Sequence, residues 1–311
     1  MADGSRTAEL EADAAAAEAA KEARAEVLQR TAKPANAASQ TKGPQTEGPQ
    51  TKGKRSRRTK AEYAEFVVDI WITDLNWTEF GIYKHSRNRA KSRQFTTDMD
   101  IYAEVKENGE RTGLLGYRED LWRKNTGMDK RLVFKLFNET LNWRATMDLM
   151  IGRSLQLTLG ARGLPVTVFS LNTGDHEQMV YLERSANKWP LLPENFSFFL
   201  LEDGKPTFYR LRRDFIDLGG DYTLYNHHNQ KIGWLDGRVF SIGGYWKGRV
   251  KSEHADPRLL IVLKMFCGMI IFNHDARRHM RSLVRDIAKG KFTPKLEKQE
   301  TDLYMNPRRV R

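Results

Sequence analysis

The stretch Asp256–Phe272, D-P-R-L-L-I-V-L-K-M-F-C-G-M-I-I-F, most restricts what this chain can fold into. Asp256 has the side chain of a helix N-cap, and Pro257 suits the first helical position, where its missing N–H costs nothing. From Leu259 to Phe272 only Lys264, Cys267 and Gly268 interrupt large apolar side chains. A helix apolar on every side must be surrounded, by lipid or by protein. Fourteen residues reach roughly 21 Å, short of the ~30 Å hydrocarbon core of a bilayer. The expectation is therefore a helix sheathed by protein, with no transmembrane span.

What precedes it supplies the sheath. Past Arg153 the sequence alternates and turns at short intervals. Leu155–Leu159 (L-Q-L-T-L), Val166–Phe169, Met179–Arg184, Phe196–Leu201, Thr207–Phe215, Tyr222–Tyr225, Lys231–Leu235, Arg238–Ile242 and Tyr245–Val250 read as strands. Asp236-Gly237 reads as a hairpin turn between two of them. Short, evenly spaced strands ending in a buried helix argue for a barrel rather than an open sheet. The fold class expected is mainly β with α, a closed antiparallel barrel around a buried C-terminal hydrophobic helix. That helix core spans 257–272 within a barrel at 153–290, and its pattern runs on to about Gly290 as a basic amphipathic helix.

The region before Arg153 reads differently. Tyr63, Phe66, Val67, Ile70, Trp71 and Leu75 are spaced by threes and fours, which predicts a helix, although the β-branched run from Phe66 to Ile72 keeps a strand open. Leu114, Leu115, Arg118, Leu121 and Trp122 suggest a short helix. Arg131–Ile151 predicts a longer one stopped by Gly152. A mainly helical region over 61–152 is expected, with a contribution of strands to the barrel as the alternative. Residues 1–60, Ala/Glu-rich and then repeating T-K/E-G-P-Q, read as a disordered tail and linker, and 291–311 as a polar tail.

Charge narrows the partners. The formal net charge is +12, of which residues 200–311 hold +9, residues 1–60 hold +4 and the middle is −1. Such a field favours phospholipid headgroups, nucleic acid or an acidic protein. The single Cys267 excludes an intramolecular disulfide and fits a reducing, cytoplasmic compartment. No secretory signal or transit-peptide pattern is present at the start.

The segment Asp221–Phe272 resembles the C-terminal half of the superfamily that joins tubby-like, LURP-one-related and phospholipid-scramblase proteins. The residues that carry the likeness are Y-T-L-Y-N-H-H-N-Q-K-I-G-W-L-D-G-R-V-F-S-I-G-G-Y-W-K-G-R-V, the break at Ser252–Asp256, and L-L-I-V-L-K-M-F-C-G-M-I-I-F. The resemblance implies a twelve-stranded barrel threaded by one apolar helix, and association with phospholipid or phosphoinositide. About 50 residues match well, and only eight or nine strands can be counted after Gly152.

Signatures of chemistry are sparse. No G-x-S-x-G, Walker A loop or dinucleotide fingerprint occurs, so no catalytic residue and no cofactor is expected. His227-His228 reads as a turn pair, His274 and His279 are wrongly spaced for one helix face, and Asp98-Met99-Asp100 lacks further ligands, so no metal site is expected. Cys267, buried mid-helix, reads as a small hydrophobe. What remains is a cationic surface. Alternation puts Arg210 and Arg212 on one face of their strand, and Lys247, Arg249 and Lys251 on one face of a later strand. If the two strands share a barrel face, the five cations would converge on a phosphorylated headgroup. The function expected is non-enzymatic, peripheral binding to anionic lipid. The alternative is a nucleic-acid-associated or regulatory protein using the basic clusters at 52–60 and 84–93.

Overall fold

In the computed structural model, which describes residues 62–70, 99–176, 178–186, 193–202, 204–214, 220–238, 244–295 and 300, the apolar stretch is the first half of a 32-residue helix, Pro257–Ala288. Asp256 caps it, its carboxylate accepting from the Arg258 N–H at 2.7 Å. The helix stops where Gly290 turns left-handed at φ +69°, its N–H reaching the Ile287 carbonyl at 2.9 Å.

Around this helix runs a closed ring of twelve antiparallel strands. In chain order they are β1 (Tyr63–Ile70), β2 (Asp100–Glu107), β3 (Glu110–Tyr117), β4 (Val133–Asn138), β5 (Trp143–Leu149) and β6 (Thr167–Thr173). There follow β7 (Val180–Arg184), β8 (Asn195–Glu202), β9 (Lys205–Arg213), β10 (Tyr222–Asn226), β11 (Lys231–Arg238) and β12 (Tyr245–Lys251). Each pairs with its sequence neighbours, and β1 closes the ring by pairing with β12, Tyr63 opposite Lys251 through Asp69 opposite Tyr245. Closure gives every strand a partner on both sides. Among the described residues two short α-helices sit between strands, α1 (Glu119–Arg123) and α2 (Ile151–Gly160); the long helix is α3.

Strand alternation aims one set of side chains at the lumen, for instance Trp246, Gly248 and Val250 on β12 and Tyr209 and Leu211 on β9. The helix fills that lumen. Phe266 lies 5.0 Å, ring to ring, from both Phe196 on β8 and Tyr222 on β10. One and a half turns on, Phe272 meets Tyr117 at 4.9 Å, Phe134 at 5.2 Å and Tyr102 at 5.6 Å, on β3, β4 and β2. These strands occupy opposite arcs of the ring, so α3 runs between them, enclosed. Leu259, Leu263, Phe266, Cys267 and Met269 have no exposed surface. Full burial of large apolar side chains of this kind contributes about 1.5–3 kcal/mol each. Lys264, the one charge between Leu259 and Phe272, places its ammonium against the Glu107 carboxylate at the end of β2. By length and composition α3 is apolar enough to cross a bilayer, yet more than half of its most apolar window is buried inside the protein. Beyond Phe272 one stripe of α3 (Asn273, Ala276, Met280, Leu283) stays buried, its apolar members in one core with Trp122 of α1 and Ile151 and Leu155 of α2.

The barrel is complete only because the region read as helical is not. Residues 61–152 supply β1 to β5, and the expected boundary at 152 falls inside α2. The helix expected around 61–80 is β1 as far as Ile70, and the rest of that span lies outside the described residues. Arg131–Ile151 is the pair β4 and β5, while Leu114 and Leu115 are in β3 and only Glu119–Arg123 is helical. The error runs the other way at Leu155–Leu159, expected as a strand and found in α2. Asp236-Gly237 is not a turn but part of β11, opposite Lys247 and Trp246. The expectations for residues 1–60, the basic cluster 84–93 and Asp98 lie outside the described residues.

Candidate anion-binding surface

All five expected cations lie on the outer face of the barrel, out of phase with their lumen-facing neighbours. Ring order separates them, because β10 and β11 stand between β9 and β12. Arg249, Trp234, Thr223 and Arg212 form one row of directly opposed residues. At ~4.8 Å per strand, Arg212 and Arg249 are about 14 Å apart, too far to grip one phosphate. The β12 group is also largely neutralised. Lys247 and Arg249 both reach Glu65 of β1, at 3.0 and 2.9 Å, and Lys251 faces Glu253 at 3.7 Å. The Lys247 bond, helped by Arg249, holds the Glu65 carboxyl below its ordinary range despite the opposing effect of burial. Trp234 sits among these charges, 5.4 Å from the Arg249 guanidinium, 5.6 Å from the Lys231 ammonium and 5.2 Å from the Tyr63 ring.

The β9 group has another setting. Arg210 hydrogen-bonds the Asn229 side chain at 2.9 Å and lies 5.2 Å from the Tyr225 ring, and Arg212 is exposed. Both are on the β8–β9 hairpin, which stays paired from Asn195–Arg212 out to Glu202–Lys205. Its neighbours give up sooner: β7 pairs only as far as Ser197, and β10 only as far as Tyr209. The outer half of the hairpin therefore runs past the backbone pairing of the wall. Along its free edge the Gln178 side chain stands in for a strand, accepting from the Leu201 N–H at 2.7 Å and donating to the Phe199 carbonyl at 3.3 Å. The outer face of this projecting half is apolar. Phe199 opposes Phe208, their rings 5.5 Å apart, and Leu201 opposes Pro206. Phe208 is 55% exposed and Leu201 39% exposed. Next along the same face come Arg210 and Arg212.

The sequence carried a signal for this patch. Phe199 and Leu201 break the alternation of β8 by placing apolar side chains in the outward phase, and Phe208 does so in β9. Cys267 offers no nucleophile, since burial pushes its thiol well above the ordinary range. His227 and His228 occupy the β10–β11 turn with ring centroids 3.9 Å apart. Among the described residues no three His, Cys, Asp or Glu side chains gather as a metal site would need.

Compared with known proteins, the chain matches no family model, no curated protein and no solved structure at a significant level. The architecture itself, a closed twelve-stranded antiparallel barrel with a C-terminal helix, is consistent with the tubby-like fold.

Proposed function

We propose that this protein is a non-catalytic, tubby-like barrel of the cytoplasm that associates peripherally with anionic phospholipid or phosphoinositide headgroups. The observation that carries the reading is the outer face of the β8–β9 hairpin, where exposed Phe208 and Leu201 at the projecting end adjoin Arg210 and Arg212. An apolar tip gains free energy by entering the headgroup–acyl boundary. Cations two and four residues behind Phe208 would then stand at phosphate level, each worth about 1 kcal/mol at an anionic surface. The five cations act as two groups in this arrangement, with Arg210 and Arg212 as headgroup contacts and the Lys247, Arg249 and Lys251 set as a paired flank.

Sedimentation with liposomes tests the reading. The protein is expected to pellet with vesicles containing acidic lipid, to stay in solution with neutral ones, and to be released by raised salt. Phe208→Ala, and separately Arg210→Gln with Arg212→Gln, should each weaken binding without moving the thermal transition, because both sites face outward. Equal and negligible binding to acidic and neutral vesicles would remove the proposal.

A further inference from the structure

At the other end of the barrel, where α3 leaves the lumen, there is a cavity of about 280 Å³ walled by Glu194 just before β8, the end of β9, the starts of β10 and β12, and the middle of α3. Glu194, Arg213, Tyr222, Trp246, His274 and Arg277 face it. Its electrostatics are lopsided. Among the described residues Glu194 is the one carboxylate on the wall, and both its oxygens are occupied. Oε1 accepts from Arg184 at 2.8 Å and Arg277 at 3.3 Å, and Oε2 accepts from the Tyr222 hydroxyl at 2.9 Å. Arg184 is 2% exposed and lies directly behind. Arg213 is beside Glu194 on the β8–β9 hairpin, its N–H bonded to the Glu194 carbonyl at 2.8 Å; its guanidinium is close to Gly220 and meets no carboxylate among the described residues. The Nε atoms of Arg184 and Arg277 are buried without a hydrogen-bond partner. Burial, reinforced by the positive charges of Arg184 and Arg281, brings Arg277 down to about 10, against the pull of Glu194. Buried Arg184 and half-buried Arg277 share this one carboxylate, so an oxyanion that enters beside them is stabilised.

The rest of the wall sets the kind of anion. Trp246, Ile270 and Ile271 add apolar surface to the same wall, the isoleucines one to two turns before Arg277 on α3. We infer that this cavity is a second binding site, separate from the outer face, for a small soluble organic oxyanion: a carboxylate or phosphate carried on an apolar or aromatic body. Arg213 and Arg277 hold the oxyanion by paired N–H donors. Trp246 and the two isoleucines cover the body. The cavity lies at the small end of ligand sites, which excludes a lipid with its chains. That the source is soluble rests on the membrane orientation proposed above. Glu194 and Arg213 are at the far end of the β8–β9 hairpin from its apolar tip, about 25 Å along strands of eight and nine residues.

Calorimetric titration of the full chain in 0.15 M salt (about 8 Å screening length) with phenyl phosphate, benzoate and inorganic phosphate tests this. Phenyl phosphate is expected to bind saturably at one site, roughly tenfold or more tighter than inorganic phosphate. Arg213→Ala should weaken it about tenfold or more with an unchanged melting temperature, since Arg213 is exposed. Arg277→Lys, which keeps the charge and loses the fork, should weaken it as well. Lys205→Ala, an exposed cation at the other end of β9, should leave the affinity for phenyl phosphate unchanged. No saturable binding of any probe, or affinity untouched by Arg213→Ala, would overturn the site. Displacement of phenyl phosphate by acidic vesicles would overturn its assignment to a soluble ligand. The liposome result with Phe208→Ala is independent of all these outcomes, so each proposal can fail without the other.

Discussion

Gly268 shows how closely helix and sheet are fitted. It sits inside α3, where glycine costs about 1 kcal/mol relative to alanine in helix propensity. The reason for the glycine is the wall beside it: a Cβ there would lie 2.6 Å from the Tyr102 hydroxyl and 2.7 Å from Leu115 Cδ1. Overpacking of this kind costs about 1–3 kcal/mol, so it outweighs the propensity gain. Gly268→Ala is expected to destabilise the protein by about 1 kcal/mol net. The Tyr102 hydroxyl is itself buried with no hydrogen-bond partner, and burial pushes its pKa well up. Tyr102→Phe should therefore be neutral or slightly stabilising, and it removes the nearer clash. In that background Gly268→Ala should cost less than it does alone. A double-mutant cycle by urea unfolding measures the coupling; independent, additive effects would show that the close approach is not what requires glycine.

At the scale of elements, α2 is held by a residue far from it in sequence. The Glu300 carboxylate accepts from the Gly152 and Arg153 N–H groups, at 2.9 and 2.7 Å, and so fills the place of an N-cap that Met150 cannot. Glu300→Ala should cost about 1 kcal/mol, and the amides of the first turn of α2 should exchange faster with solvent. Unchanged exchange there would mean that the helix holds its end without this cap. The same helix shows why its own sequence misleads. Its leucines alternate, yet the buried stripe is Ile151, Ser154, Leu155 and Thr158, at helical spacing. Two members are polar because they serve β6: Ser154 Oγ accepts from the Val168 N–H at 2.9 Å, and Thr158 Oγ1 accepts from the Val166 N–H at 3.1 Å. Strand β4 misleads in the opposite sense. Both its faces carry buried apolar side chains, Phe134 and Leu136 inward and Phe137 outward in a cluster with Met99, Ile101, Leu114 and Leu141, so alternation vanishes and the apolar run looks helical. Strands with one wet face, such as β9 and β12, were legible for that reason, and so was the direction of their cations. Their separation was not, because ring order cannot be read from alternation. The cavity at the barrel end was less legible still, its charges coming from β7, β9 and α3. One clue was local: Val180, Leu182 and Arg184 share a phase, which points an arginine inward.

For the whole molecule, closure is the governing fact. The ring is complete only when β1 lies between β12 and β2, and lumen residues of β1 such as Phe66 and Val68 are buried. The Phe66 ring covers Gly248 of β12 so closely that a Cβ there would fall 2.2 Å from it. Without β1, two strand edges are left unpaired and the wall beside Lys264 opens, since that side chain lies 5.9 Å from the Phe66 ring. A chain of residues 59–311 retains every described element and should unfold cooperatively. A chain of residues 72–311 lacks only β1 among them, and is expected to lose near-ultraviolet circular dichroism and to bind a hydrophobic dye, as an opened and fluctuating core would. The consequence reaches the nucleic-acid alternative, for which removing residues 1–93 is the natural experiment. That cut deletes β1 as well as both basic clusters, so lost binding would report an opened barrel. Charge-reversing substitutions within 52–60 and 84–93 in the intact chain separate the two. If 72–311 instead shows one sharp transition and native-like aromatic signals, pairing of the first and last strands is not what holds α3 in place, and the enclosed helix must be stable in an open sheet.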